Sequence, residues 1–484
     1  MKHRKTLLAE RAKCAAQLKT WHMHIAIVAL LAAYFLIFPV YRAFYPLEIG
    51  ASEGWIVYHQ DAILAGNALY PAPDSLTQNN YPPLSFYVVA VIASWTGDSL
   101  FVGRILSIVA TLGLGWTVAL VIRQLGGGRI AGAIGGIWFV AFMVATFDAY
   151  VGVDEPQLFG QFIMTGALAW FLERDAHKRS VEPAIFLMVV AGFWKHNIIT
   201  IPASVLLWLA VRDGRRAIWF FVFVTCCVLS GLTICVFLYG PHNFVSNMLV
   251  PRVFTPFRML TAVGRLQFVL PALLIWAVWA WRARKTRPAQ FTALLIGVGL
   301  VVHIIQWSVD GVNSNSQFDL DIAAAIGLGL AYEHAKIPGW SKRAAQTLVI
   351  AIVAARLALT AHLESALILF DPNYRRLIYN HAATAKKEAE RVSHVPGLVY
   401  CSIKLVCRMA GKPFIFDDFK VQQLFLTGAI SIAGQSVPSP EWGIDLLKIL
   451  REHKIIYLSI DPRAGAESIN REWPAHFLFG EKWD

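Results

Sequence analysis

Three carboxylates and one lysine stand in settings where side chains could do chemistry. Glu53 and Asp61 lie in a stretch that also holds Glu48, Trp55, Tyr58, Gly66, Leu69-Tyr70 and Asn80-Tyr81-Pro82-Pro83-Leu84. A carboxylate kept in a partly dry cleft has a raised proton affinity and, once ionised, serves as a general base toward a hydroxyl. A solvated or helix-capping role explains any single acid there equally well. Asp154 belongs to a short run, Asp148-Ala-Tyr-Val-Gly-Val-Asp-Glu-Pro156, with no basic residue beside it in sequence. Asp154-Glu155-Pro156 also reads as the start of a helix with acids in its first turn. The chemical alternative is that Asp154 faces the same cavity as Glu53.

Lys195-His196-Asn197 interrupts an apolar stretch. An ionisable group at membrane depth is by default a functional hypothesis, against which a lysine snorkelling to the surface is the plain alternative. Arg252 and Arg258 follow in the segment 241–262, and arginine suits a phosphate held bidentately. Tyr58 and Tyr81 complete the candidate substrate contacts in the first loop. A polar island, Asp310-Gly-Val-Asn313-Ser-Asn315-Ser-Gln317, offers amides and hydroxyls that could hold sugar hydroxyls, although a loop turn also explains it.

These residues are set in a chain that is 57% apolar and 15% charged over 484 residues, with a mean hydropathy of +0.53. That balance points to a bilayer as solvent. The net charge of +12 does not imply nucleic acid, because the Lys and Arg residues sort by side. Basic clusters at 2–19, 123–129, 174–179, 212–216, 282–287 and 336–343 fall on one side. The other side carries only Arg42, Arg104, Lys195, Arg252, Arg258 and Arg265 before residue 363. This is the positive-inside asymmetry. The apolar run 25–40 has no small-residue cleavage site and reads as a retained first helix.

Apolar runs predict about eleven crossings, at 24–45, 100–123, 130–147, 157–173, 182–194, 198–211, 217–239, 264–281, 289–307, 319–334 and 344–362. Residues 1–23 form a cytoplasmic segment and 24–362 a transmembrane domain with a long first outer loop at 46–99. Residues 363–484 form a small extracytoplasmic α/β domain, with strands at 398–401, 413–416 and 455–460 and a helix at 441–453. The run 84–95 is short and follows Pro82-Pro83, so it is expected to lie on the outer face as an interfacial helix. Cys14 is cytoplasmic and Cys226, Cys227 and Cys235 lie in an apolar span, whereas an extracytoplasmic location would permit a bridge between Cys401 and Cys407. No cluster demands a bound metal, which leaves room for a carboxylate-held divalent ion.

The order of these features resembles the GT-C glycosyltransferases, in particular the bacterial protein mannosyltransferase-like and aminoarabinose transferase-like branches. It comprises a long acidic first outer loop, Gly66…Leu69-Tyr70, Tyr81-Pro82-Pro83-Leu84, Arg104 opening the next span and Asp154 after the third. The resemblance covers roughly 24–335. It implies a multi-pass inner-membrane enzyme with an outer-face site that moves a sugar from a polyprenyl phosphate to a lipid, glycan or protein acceptor. It also implies Glu53 as the acid that activates the acceptor, Asp154 as a second acid that orients the site, and Lys195, with His196 beside it and Arg258, as donor-phosphate contacts. One departure is Ser52-Glu53 where family members often show Asp-Glu, which leaves the base to Glu53 or Asp61. The rival reading, a secondary transporter or flippase of lipid-linked sugars, calls for charges near the midplane and repeat symmetry; the acids here gather at one face. An O-antigen ligase type would place its long outer loop late in the chain.

Overall fold

The computed structural model describes residues 2–50, 52–428 and 442–458. Helix α1 (Lys2–Arg42) leads through a connecting segment to α2 (Glu53–Leu64) and α3 (Leu84–Thr96). There follow α4 (Ser99–Gln124), α5 (Arg129–Thr146), α6 (Gln157–Ala176), α7 (Glu182–Trp194), α8 (Thr200–Arg212) and α9 (Gly214–Tyr239). Short α10 (Pro241–Met248) and α11 (Arg258–Arg265) precede α12 (Leu270–Arg282), α13 (Arg287–Trp307), α14 (Phe318–Glu333) and α15 (Lys342–Leu359). The C-terminal unit contains α16 (Glu364–Phe370), α17 (Pro372–Ser393), β1 (Val399–Cys401), α18 (Lys404–Met409), α19 (Asp418–Leu426), α20 (Trp442–Glu452) and β2 (Ile456–Leu458).

A helix occupies each of the eleven predicted segments. Among the described residues five are long and apolar enough to cross a membrane, or up to seven if each of two bent pairs is one span. The short run after Pro82-Pro83 is the helix α3.

Burial follows from where apolar surface must go. Helix α14 is buried along almost its whole length, packed on α5, α12 and α13. Helix α9 is the opposite: Ile218, Phe221, Leu229 and Phe237 point outward. A helix that is apolar yet faces away from its neighbours is suited to hydrocarbon rather than water. The break between α7 and α8 at 195–199 leaves two helices of 13 residues each, with Lys195 and Ile198 buried and His196 and Ile199 exposed.

The C-terminal unit is only partly as expected. Strands β1 and β2 pair in parallel, matching the expected strands at 398–401 and 455–460 except that 459–460 lie outside the described residues. The helix expected at 441–453 is α20, with Glu441 also outside them. The expected strand at 413–416 is not one. Phe414 stacks on Tyr58 and Phe416 packs against Tyr400, so the segment is fixed by its aromatic side chains and, among the described residues, pairs with no strand.

Cys401 and Cys407 form a disulfide. It closes the loop carrying Lys404, whose backbone N–H donates to Glu48, in the segment between α1 and α2, at 3.1 Å. Arg408 of the same helix pairs with Asp61 at 2.6 Å. In the chain-entropy account, so short a loop contributes roughly 2 kcal/mol. Cys401→Ala/Cys407→Ala is therefore expected to make α18 a preferred site of limited proteolysis while the transmembrane helices stay protected.

Candidate active site

The site is organised by a buried ion pair between α2 and α4. Glu53 is the first residue of α2 and Arg104 lies one turn into α4; both side chains are inaccessible to solvent. Arg104 Nε and Nη2 donate to Glu53 Oε1 and Oε2, each at 2.7 Å. The remaining Arg104 donors go to the carbonyls of Leu47 at 2.6 Å, Arg42 at 3.3 Å and Tyr45. All five N–H groups of the guanidinium are thereby used. Glu53 is equally saturated, since it also accepts from the backbone of Ile49 at 2.7 Å and of Asp154 at 2.8 Å.

The bond from Asp154 N joins the two predicted acids, so Glu53 and Asp154 do share one site. Their environments differ. Asp154 Oδ1 accepts from Gln60 Nε2 at 3.2 Å, and its Oδ2 is buried without a hydrogen-bond partner. Burial, reinforced by the Glu53 charge, raises Asp154 well above the ordinary carboxylate range, with Gln60 and Arg104 opposing. The capping alternative does not describe it: Pro156 precedes α6 without a side-chain cap, and Glu155 takes the N–H of Gln157 at 2.6 Å.

Asp154 lines a cleft with Gln60, Ser85, Ser107, Glu155 and Trp194. Its volume of about 20 Å³ for a water-sized molecule exceeds the roughly 10–15 Å³ that one water requires. It has room for a hydroxyl-sized group. Gly103 on α4 forms one wall; a Cβ there would meet Asp154 Oδ1 at 2.0 Å, so only glycine lets the carboxylate lie against the helix.

Lys195 does not snorkel. Its side chain is 2% exposed, its Nζ lies 2.6 Å from Glu155 Oε1, and it sits 3.3 Å from the centre of the Tyr81 ring. Tyr81 is itself placed by Tyr70, whose hydroxyl donates to the Tyr81 carbonyl at 2.9 Å. His196 is exposed, with Lys195 and Arg252 as its cationic neighbours.

Other predicted residues are used elsewhere. Asp61 is bound by Arg408 at 2.6 Å and Ser99 at 2.9 Å. Tyr58 donates to the Lys412 carbonyl at 3.0 Å. Both therefore hold the C-terminal unit. Arg258 pairs with Asp310 at 3.2 Å and donates to Val312 O at 2.7 Å, which fixes the loop carrying Asn313 and Asn315. Among the described residues no hydrogen bond joins Asn313 or Asn315 to Asp154 or Lys195. Gln60 and Glu155 were not singled out from sequence. Gln60 lies two turns from Glu53 on the same face of α2, whereas Asp61 is rotated by about 80°, a signal that favoured Gln60. Among the described residues no group of three or more His, Cys, Asp or Glu gathers to hold a metal.

The fold is shared with solved structures of two other proteins. The chain is similar to ArnT from Cupriavidus metallidurans bound to undecaprenyl phosphate, at 15% identity and a TM-score of 0.57, covering 89% of this chain and 91% of that one. The apo form of the same protein gives 14% identity and 0.58 over 90% and 91%. The archaeal oligosaccharyltransferase AglB from Archaeoglobus fulgidus, in complex with an inhibitory peptide and a dolichol-phosphate, is similar at 13% identity and 0.50, over 83% of this chain and 64% of that one. No protein-family model and no curated protein matches the sequence.

Proposed function

We propose that the protein is an inner-membrane glycosyltransferase that moves a sugar from a polyprenyl phosphate to a lipid, glycan or protein acceptor on the outer face. The observation that carries the reading is the buried, unpartnered Asp154 Oδ2 in a cleft with room for a hydroxyl, near the cations Lys195 and Arg252, where partial burial and these two charges keep His196 neutral. With the N-terminus cytoplasmic and residues 363–484 outside, as the charge asymmetry suggests, those cations would face the outer membrane surface.

In this mechanism the acceptor oxygen enters the cleft and Asp154 takes its proton. The oxygen forms a bond to the anomeric carbon as the bond from that carbon to the polyprenyl phosphate breaks. Charge then grows on the leaving phosphate, where fixed cations contribute most. Glu53 has no free lone pair, so its role here is to hold Arg104, the first outer segment and the backbone of Asp154 in register. The base thus falls to Asp154 in place of Glu53 or Asp61.

Lys195 has three N–H donors and Glu155 takes one. Lys195→Met is expected to raise the KM for a polyprenyl-phosphate-linked donor by about tenfold or more, the scale of a lost hydrogen bond to a charged group. Steady-state kinetics in nanodiscs reads it, and an unchanged KM would remove Lys195 from the donor site. Gly103→Ala forces Asp154 aside and is expected to lower turnover nearly as far as loss of that carboxylate. Release of free polyprenyl phosphate matched by glycosylated acceptor is the direct assay of the function. Movement of the intact donor across liposomes, without release, would favour the transporter reading.

A further inference from the structure

We infer that α19 of the C-terminal unit is a staple that sets the spacing between the two halves of the donor-phosphate site, with Lys420 and Gln423 as its positioning residues. The inference rests on the glycosyltransferase reading and assigns to a peripheral helix a part in donor affinity.

One helix of nine residues grips three outer segments that are far apart in sequence. Toward the first outer loop, Lys420 Nζ donates to the carbonyls of Ser75 at 2.5 Å, Thr77 at 2.9 Å and Pro73 at 3.4 Å. Asp417 N adds a bond to Leu76 O at 2.9 Å. Three carbonyls around one buried ammonium satisfy its donors fully, so this end is tightly specified. The gripped segment runs directly into Gln78, whose carbonyl receives Trp55 Nε1 and pairs with His59 Nε2 at 2.9 and 2.8 Å. Three residues later comes Tyr81, the ring under Lys195.

Toward the later loops, Gln423 is completely buried and uses both ends of its amide. Its Nε2 donates to Asp310 Oδ2 at 2.6 Å and its Oε1 accepts from Val253 N at 3.0 Å. Asp310 is the partner of Arg258, and Val253 follows Arg252. Phe419 fills the gap between these contacts. It lies under the Arg252 guanidinium at 5.4 Å and over Gly311, where a Cβ would meet the ring at 2.2 Å. Gly311 has φ +74°, so the turn favours glycine for both reasons.

Rigid contacts at both ends make α19 the strut between the Tyr81–Lys195 side and the Arg252–Arg258 side. A solvated surface helix would not need a buried lysine and a buried glutamine aimed at opposite loops. Loosening either end changes the separation of cations that must meet one phosphate, while Asp154, held by Glu53 and Gln60, keeps its place.

The test compares the full-length wild type with Lys420→Met and Gln423→Leu in nanodiscs. Two quantities are read: binding of undecaprenyl phosphate alone, and kcat and KM for a polyprenyl-phosphate-linked sugar. The expected result is roughly tenfold weaker binding and a matching rise in KM with kcat held, the scale of mutations that act through an intervening element. Unchanged binding and KM in both variants, or a fall in kcat with KM unchanged, overturns the inference while leaving the transferase reading intact. If Gln423→Leu does not accumulate, Lys420→Met, which keeps the aliphatic stem, decides alone. A wild type that binds no undecaprenyl phosphate refutes the transferase reading and the staple together.

Discussion

Arg104→Met is expected to cost the protein its fold, not merely its activity. The substitution leaves Glu53 charged, fully buried and facing three carbonyls that have lost their donors. Removing one partner of a buried pair costs about 3–5 kcal/mol, a large part of the roughly 5–15 kcal/mol that separates folded from unfolded domains. Protein that melts far below wild type in detergent, or fails to accumulate, is the expected outcome. Glu53→Gln should destabilise in the same direction, because the guanidinium then lacks its counter-charge. Changing both residues to leucine should be milder than the sum of the two single changes, as expected where each single variant strands a buried charge. A Glu53→Gln protein that melts like wild type yet transfers no sugar would return the base to Glu53 and contradict the role given to this pair.

Asp154→Asn is expected to do the reverse, abolishing turnover while sparing stability. Loss of a general base lowers turnover by about 10²–10⁴-fold. The amide keeps the bond from Gln60 and removes a buried acid with an unpartnered oxygen, so melting should hold or rise. The pH dependence follows from the direction of the shift. As a base, Asp154 works only when ionised, and its raised proton affinity places the acidic limb of the rate profile above the ordinary aspartate pKa of about 3.9. Folded Asp154 also holds its proton more tightly than the unfolded chain. Its contribution to stability is therefore fully present below the unfolded value and is lost as pH rises through the folded one. The asparagine variant should lose that part of the stability profile. Wild-type-like turnover in Asp154→Asn would remove it from the chemistry.

The contrast between the two acids shows what a sequence can and cannot say about such a site. The helices were legible because burial in hydrocarbon imposes long apolar runs and charge asymmetry, which linear patterns record directly. The pairing of Glu53 with Asp154 was legible as a shared outer position. What was not legible is which carboxylate has spare lone pairs, since that depends on Arg104 donating from another helix across 51 residues of sequence. Asp61 was misleading for a similar reason: its partner Arg408 lies 347 residues away in the C-terminal unit. Lys195 read as a cation at depth and is one, but its partner Glu155 stood next to Asp154 and passed as a helix-start acid. Segment 413–416 had strand composition without a neighbouring strand, and pairing is not a local property.

The most direct test of the account is the anomeric configuration of the transferred sugar, read by NMR on product made from a polyprenyl-phosphate donor of defined configuration. One base and direct displacement predict a product with the configuration inverted, formed by wild type and absent with Asp154→Asn. A product that retains the donor's configuration would exclude a single back-side displacement and would contradict the role assigned to Asp154.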